Sequence, residues 1–146
     1  MNQQPSVFSD DRSPILIVDD DRDTCELINY FLSPDFDCDM AFDGEQALQR
    51  VMQRDYSVVL VDLMLPKVDG YALIKSVAEK SPATPVIVVS AVAEVDAAIK
   101  AMKMGAFAYI VKPFYPEQVE ISVKRAFNHH LSINKEHQPE LVADCQ

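Results

Sequence analysis

Four short apolar runs stand out along the chain: Ile15-Leu16-Ile17-Val18, Val58-Val59-Leu60-Val61, Val86-Ile87-Val88-Val89 and Phe107-Ala108-Tyr109-Ile110-Val111. Runs of this length, rich in β-branched residues and without polar alternation, predict strands buried on both faces. A weaker segment, Cys38 to Ala41, predicts an edge or second strand. Between the runs, apolar residues recur at helical spacing: Leu27, Ile28, Phe31 and Leu32; Ala47, Leu48, Val51 and Met52; Leu73, Ile74 and Val77; Val95, Ala98, Ile99 and Met102. Each set predicts a helix with one core-facing stripe. After Pro116, the positions Val119, Val123, Ala126 and Phe127 predict a fifth.

Strands that alternate with helices predict an α/β fold, a doubly wound parallel sheet of five strands flanked by five helices, because parallel neighbours need crossover connections. In such sheets the reactive groups gather beyond the C-terminal ends of the strands. Polar residues interrupt the apolar runs at those ends: Asp19-Asp20-Asp21 after the first strand, Asp62 after the third, Ser90 after the fourth and Lys112-Pro113 after the fifth. Four strand ends thus converge on one expected site. Residues 1–13, with Pro5, Ser6, Ser9, Asp10 and Asp11, lack periodicity and are expected to form a flexible N-terminal arm. The domain is expected over 14–130, with 131–146 as a C-terminal tail or the start of a linker, in which Pro139 stops helical extension.

At 146 residues and 49% apolar composition, the chain suits one core and is too short for two ordinary domains. Acidic residues outnumber basic ones 23 to 13, for a formal charge of −10. That balance gives no electrostatic footing on phosphate backbones or anionic membranes, so neither nucleic acid nor membrane is expected as a direct partner. Cys25, Cys38 and Cys145 are odd in number and lack metal-ligand spacing, and no charged-then-apolar leader precedes them, so a reduced, cytoplasmic setting is expected.

Crowded carboxylates repel one another unless a cation or a proton neutralises them. Mg2+ is the expected guest, since it takes oxygen ligands, keeps waters and borrows phosphate oxygens. Lys112 would face the acids with a compact ammonium, and Ser90 would add a hydroxyl donor. Phosphoryl transfer asks for an in-line nucleophile and positive groups around the equatorial oxygens, a set that Asp62, the metal, Lys112 and Ser90 would supply.

The segments Val18-Asp19-Asp20-Asp21, Val61-Asp62-Leu63-Met64-Leu65-Pro66 with Asp69-Gly70, Val89-Ser90-Ala91 and Tyr109-Ile110-Val111-Lys112-Pro113-Phe114 resemble the receiver domains of bacterial two-component response regulators. The resemblance covers about residues 14 to 130 and implies the flavodoxin-like fold of the chemotaxis regulators. It implies that Asp62 accepts a phosphoryl group from a sensor histidine kinase or a phosphotransfer protein. Asp20 and Asp62 would ligate the metal directly, Asp19 through water, and the Met64 backbone carbonyl would complete the protein ligands. Ser90 and Tyr109 would be a switch pair that alters the face of helix four, strand five and helix five. That face would regulate a partner or an output domain, or mediate a homodimer. The Lys112-Pro113 peptide would be cis. Met64 and Val92 stand where the family tunes phosphoryl lifetime, and neither could orient an attacking water, so slow self-dephosphorylation is expected.

Blander readings stand beside these. Asp19 to Asp21 could open the first helix, with Asp23 and Glu26 as a capping box, and Tyr109 could be core packing. Cys25 and Cys38 read as small core residues, Asp43-Gly44 as a turn and helix start, and His129 and His130 as a solvated helix end. A phosphatase of the haloacid-dehalogenase type also uses a phospho-aspartate, but it wants a DxDx[TV] pattern after the first strand. No register across Asp19, Asp20 and Asp21 satisfies that pattern in full. The chain is therefore expected to catalyse only its own phosphorylation and dephosphorylation.

Overall fold

The computed structural model describes residues 12–136. Five strands and five helices alternate: β1 (Ser13–Val18), α1 (Arg22–Leu32), β2 (Phe36–Ala41), α2 (Gly44–Gln53), β3 (Val58–Val61), α3 (Gly70–Lys80), β4 (Val86–Ser90), α4 (Val95–Lys103), β5 (Ala108–Val111) and α5 (Pro116–Glu136). All neighbours pair in parallel, in the order β2-β1-β3-β4-β5. The doubly wound sheet is as expected.

Successive side chains of a strand point to opposite faces, so each run feeds two cores. Leu16, Val18, Val59, Val61, Val86 and Val88 meet Ala47 of α2, Leu73, Ile74 and Val77 of α3 and Ala101 of α4. Their alternates Ile15, Ile17, Val58, Leu60, Ile87 and Val89 meet Cys25, Ile28 and Leu32 of α1 and Val119, Val123 and Ala126 of α5. The central strands β1, β3 and β4 are covered on both sides, which is why their sequences show no polar alternation.

Several local expectations are corrected. β5 is an edge strand and is not buried on both faces, since Ala108 and Tyr109 are half-buried and Val111 is exposed. The stripe of α4 is not core: Val95, Ile99 and Met102 are exposed, and only Ala101 of that helix is buried. Leu27 and Met52 are likewise exposed. Helical spacing reveals amphipathicity, but the element that covers the stripe is set by the neighbours. The N-cap of α1 is Asp21, whose carboxylate accepts from the Asp23 N–H at 3.1 Å and the Thr24 hydroxyl at 2.9 Å, in place of an Asp23–Glu26 box. Asp43 does cap α2, accepting from the Gln46 N–H, while Gln46 accepts from the Phe42 N–H.

His130 is not at a solvated end. Its Nδ1 lies 2.6 Å from the Ala83 carbonyl, and α5 runs on to Glu136. The N-terminal arm, apart from Arg12 and Ser13, and the end of the C-terminal tail, with Pro139 and Cys145, lie outside the described residues. Among the described residues no helix is long and apolar enough to cross a membrane.

Gly70 is dictated by packing against backbone. A Cβ on Gly70 would stand 2.5 Å from the Leu63 Cα and 2.9 Å from the Asp62 carbonyl oxygen, backbone atoms that cannot rotate away. Gly70→Ala should therefore destabilise the fold by about 1–3 kcal/mol, read as a lower urea midpoint at unchanged slope. An unchanged midpoint would show that the loop after β3 yields freely.

Candidate functional site: an acid pocket at the strand ends

The strand order reverses between β1 and β3, since the chain leaves β1 for β2 on one side and returns to β3 on the other. That switch point opens a crevice at the strands' C-terminal ends. Val18 pairs with Val61 in the last register step, so the residues that follow, Asp19 and Asp62, emerge side by side. The Asp62 N–H donates to the Val18 carbonyl at 3.0 Å, and the Asp19 N–H to the Ala41 carbonyl at 3.1 Å. Ser90 closes β4 and is fully buried. Lys112 follows β5, tied by its N–H to the Ser90 carbonyl at 2.9 Å, and the Lys112-Pro113 peptide is cis.

Lys112 reaches across the end of β4 to both acids. Its ammonium donates to Asp19 Oδ2 at 2.6 Å and to Asp62 Oδ2 at 3.0 Å. The other oxygens are engaged by backbone: Asp19 Oδ1 accepts the Asp21 N–H at 2.9 Å, and Asp62 Oδ1 accepts the Met64 N–H at 3.1 Å. Burial lifts the Asp19 carboxyl above its ordinary pKa; the hydrogen bonds from Lys112 and Asp21 oppose that rise, and the neighbouring charge of Asp62 adds to it. Burial works to lower the Lys112 pKa, but its bonds to Asp19 and Asp62 together outweigh it and leave the ammonium held above its usual range.

One carboxylate oxygen from each of Asp19, Asp20 and Asp62 lies within 4.8 Å of the others, with Asp19 and Asp62 buried and Asp20 exposed to solvent. Three hard anionic oxygens against one ammonium leave an excess of negative charge, and a partly open site lets a cation keep waters. The donor set fits Mg2+ better than a softer metal, which would seek His or Cys. Cys25, whose thiol donates to the Asp19 carbonyl at 3.3 Å, is buried and pushed up to about 12 by desolvation, so it is packing and not a ligand.

Ser90 and Tyr109 are linked through one residue. The Val92 N–H donates to Ser90 Oγ at 3.3 Å, and the Tyr109 hydroxyl donates to the Val92 carbonyl at 2.6 Å. The expected site residues Asp19, Asp20, Asp62, Ser90 and Lys112 thus share one strand edge, with Tyr109 one step behind. Gly70 is the residue that sequence reasoning leaves without a role. It lets α3 begin against the backbone of Asp62, and only the Asp69-Gly70 pair in the sequence hints at it.

The model of the response regulator receiver domain family matches residues 15–124. The Transcriptional regulatory protein ZraR of Escherichia coli (strain K12) is 32% identical over 127 residues, which cover 86% of this chain and 29% of that protein. The chain therefore spans less than a third of the length of this curated relative. Among solved structures, the Francisella response regulator 1452 receiver domain is 31% identical with a TM-score of 0.74, covering 80% of this chain and 98% of that one. The response regulator receiver domain protein (CheY-like) from Methanospirillum hungatei JF-1, at 24% identity and TM-score 0.79 over 83% of this chain and 98% of that one, shares the fold. With the five-stranded parallel sheet and its acid pocket, these matches establish that the chain belongs to the response regulator receiver domain family, the phosphorylation-controlled switches of two-component signalling.

Proposed function

We propose that Asp62 is the phosphoacceptor, taking a phosphoryl group from a sensor histidine kinase or a phosphotransfer protein. The observation that carries this reading is a buried carboxylate at the switch point, next to two further acids and paired with a lysine from another strand. As an Asp62 oxygen bonds to phosphorus, the bond to the donor breaks and the donor nitrogen or oxygen leaves with the electron pair. Asp19, Asp20 and Asp62, with the Met64 carbonyl, would hold Mg2+, which when bound neutralises the charge of the transferring group. Lys112 keeps its ammonium in the pocket and exchanges Asp62 for a phosphoryl oxygen, while the Ser90 hydroxyl donates to another.

The output follows the Ser90–Val92–Tyr109 link. When the Ser90 hydroxyl turns to the phosphoryl group, the loop after β4 re-forms and Tyr109 follows it. Phosphate then favours one of two loop arrangements by its differential affinity for them. Tyr109 borders an open groove of about 520 Å³ lined by Val95, Ala98, Ile99, Met102 and Val111. This face of α4, β5 and α5 is the surface by which the switch regulates a partner or an output domain, or pairs with a second copy. The reading as a separate phosphatase is disfavoured by the sequence after β1, Asp19-Asp20-Asp21-Arg22-Asp23-Thr24-Cys25, which lacks the DxDx[TV] pattern.

Incubation with acetyl phosphate and Mg2+ should add the mass of one phosphoryl group to the chain, and the gain should vanish in Asp62→Ala and with EDTA. Equal labelling of Asp62→Ala would refute the assignment. The phosphoryl group should also be long-lived, because Met64 and Val92 carry no side-chain group to orient water. A half-life of minutes or more is expected, with Met64→Gln shortening it, and a natural half-life under about one minute would contradict the account.

A further inference from the structure

The first turn of α1 carries a cation outside the acid cluster. Arg22 is the first residue of that helix, immediately after the N-cap Asp21. A cation there opposes the helix dipole, which favours acids at an N-terminus. Its guanidinium carbon lies 3.9 Å from the centre of the Phe42 ring. Among the described residues it forms no ion pair with any carboxylate, although Asp20, Asp21 and Asp23 surround it in sequence. Lys67, in the loop after β3, is by contrast engaged by Asp43 at 3.6 Å and Glu45 at 3.5 Å.

Phe42 fixes where the stack lies. Val18 pairs with Ala41 in the last step of the β1–β2 register, and the Asp19 N–H donates to the Ala41 carbonyl. Phe42 therefore leaves β2 beside Asp19 as it leaves β1, at the same edge of the sheet as the acid pocket. The Phe42 N–H is in turn held by Gln46 at 2.8 Å, which anchors the ring's backbone. Stacking occupies one π face of a guanidinium and leaves its in-plane N–H donors free for oxyanions. Among the described residues the three clustered acids, Asp19, Asp20 and Asp62, face one paired ammonium, that of Lys112, so an anionic donor meets excess negative charge until a cation is held there.

We propose that Arg22, held on Phe42, recognises the anionic phosphoryl group of the incoming donor before transfer. The proposal rests on Asp62 as the phosphoacceptor. In the transfer the donor's P–N bond, or P–O bond in acetyl phosphate, breaks as the Asp62 O–P bond forms, and the histidine nitrogen or the acetate leaves with the electron pair. Arg22 takes no part in bond making, so it acts on donor capture and not on the chemical step.

The test is the rate of phosphorylation of the full chain by acetyl phosphate with Mg2+, measured over a range of donor concentrations for the natural chain, Arg22→Gln, Arg22→Lys and Phe42→Leu. Arg22→Gln should raise KM about five- to tenfold and leave the maximal rate within about twofold. The gap should narrow as salt rises from roughly 0.05 to 0.5 M, because the contact is solvent-exposed. Arg22→Lys, which keeps the charge without the planar stack, and Phe42→Leu, which keeps the charge without its platform, should fall between. The thermal midpoint of Arg22→Gln should be unchanged or higher, since a disfavoured cation leaves the helix N-terminus. An unchanged KM, with or without a lower midpoint, would overturn the inference and leave Asp62 untouched. No labelling of the natural chain would instead overturn the phosphoacceptor reading beneath it.

Discussion

The site depends on one electrostatic constraint: two carboxylates emerge side by side from β1 and β3 into a nearly dry edge of the sheet, and something must offset their charge. Lys112 does so from β5, and it can only because the strand order carries β5 to within one side chain's reach of both acids. Removing one partner of such a buried pair costs on the order of 3–5 kcal/mol, because the remaining charge is left without compensation. The lysine alone does not balance three acids. The remaining deficit is what would make the pocket receptive to a divalent cation and, with it, to a phosphoryl group. Fold, resting state and chemistry therefore share the same requirement.

A run of hydrogen bonds connects the pocket to the face of α4. The backbone of Lys112 hangs from Ser90, Ser90 accepts from Val92, and Val92 accepts from Tyr109. Beyond Tyr109 stands α4, the helix with the least anchorage: of its residues only Ala101 is buried, while Val95, Ile99 and Met102 face outward. An element that buries so little apolar surface is cheap to displace. α3 and α5, by contrast, place Leu73, Ile74 and Val77 and Val119, Val123 and Ala126 fully within the two cores, and so give α4 a rigid body to move against.

Much of this was legible in the residues, for identifiable reasons. The strands β1, β3 and β4 announce themselves because helices cover both of their faces, so no polar position interrupts them until the functional residue at the end. Asp19 and Asp62 are visible for that reason, each standing where an apolar run should have continued. The reading weakens where burial is one-sided. β5 looks like a central strand in sequence and is an edge, and the α4 stripe looks like core and is surface, because periodicity reports an amphipathic face without saying what covers it. Asp21 in place of Asp23 as the helix cap, and His130 on the Ala83 carbonyl, follow from backbone positions that no spacing encodes. Gly70 is the extreme case, since its value is a missing atom beside the Asp62 backbone.

Whether Asp62 carries the phosphoryl group can be read chemically. Reduction of the phosphorylated chain with borohydride converts an aspartyl phosphate to homoserine, which peptide mass spectrometry can place in the sequence. The account predicts homoserine at position 62 and unmodified aspartate at 19, 20 and 21. Homoserine at one of those three positions, with Asp62 intact, would contradict it.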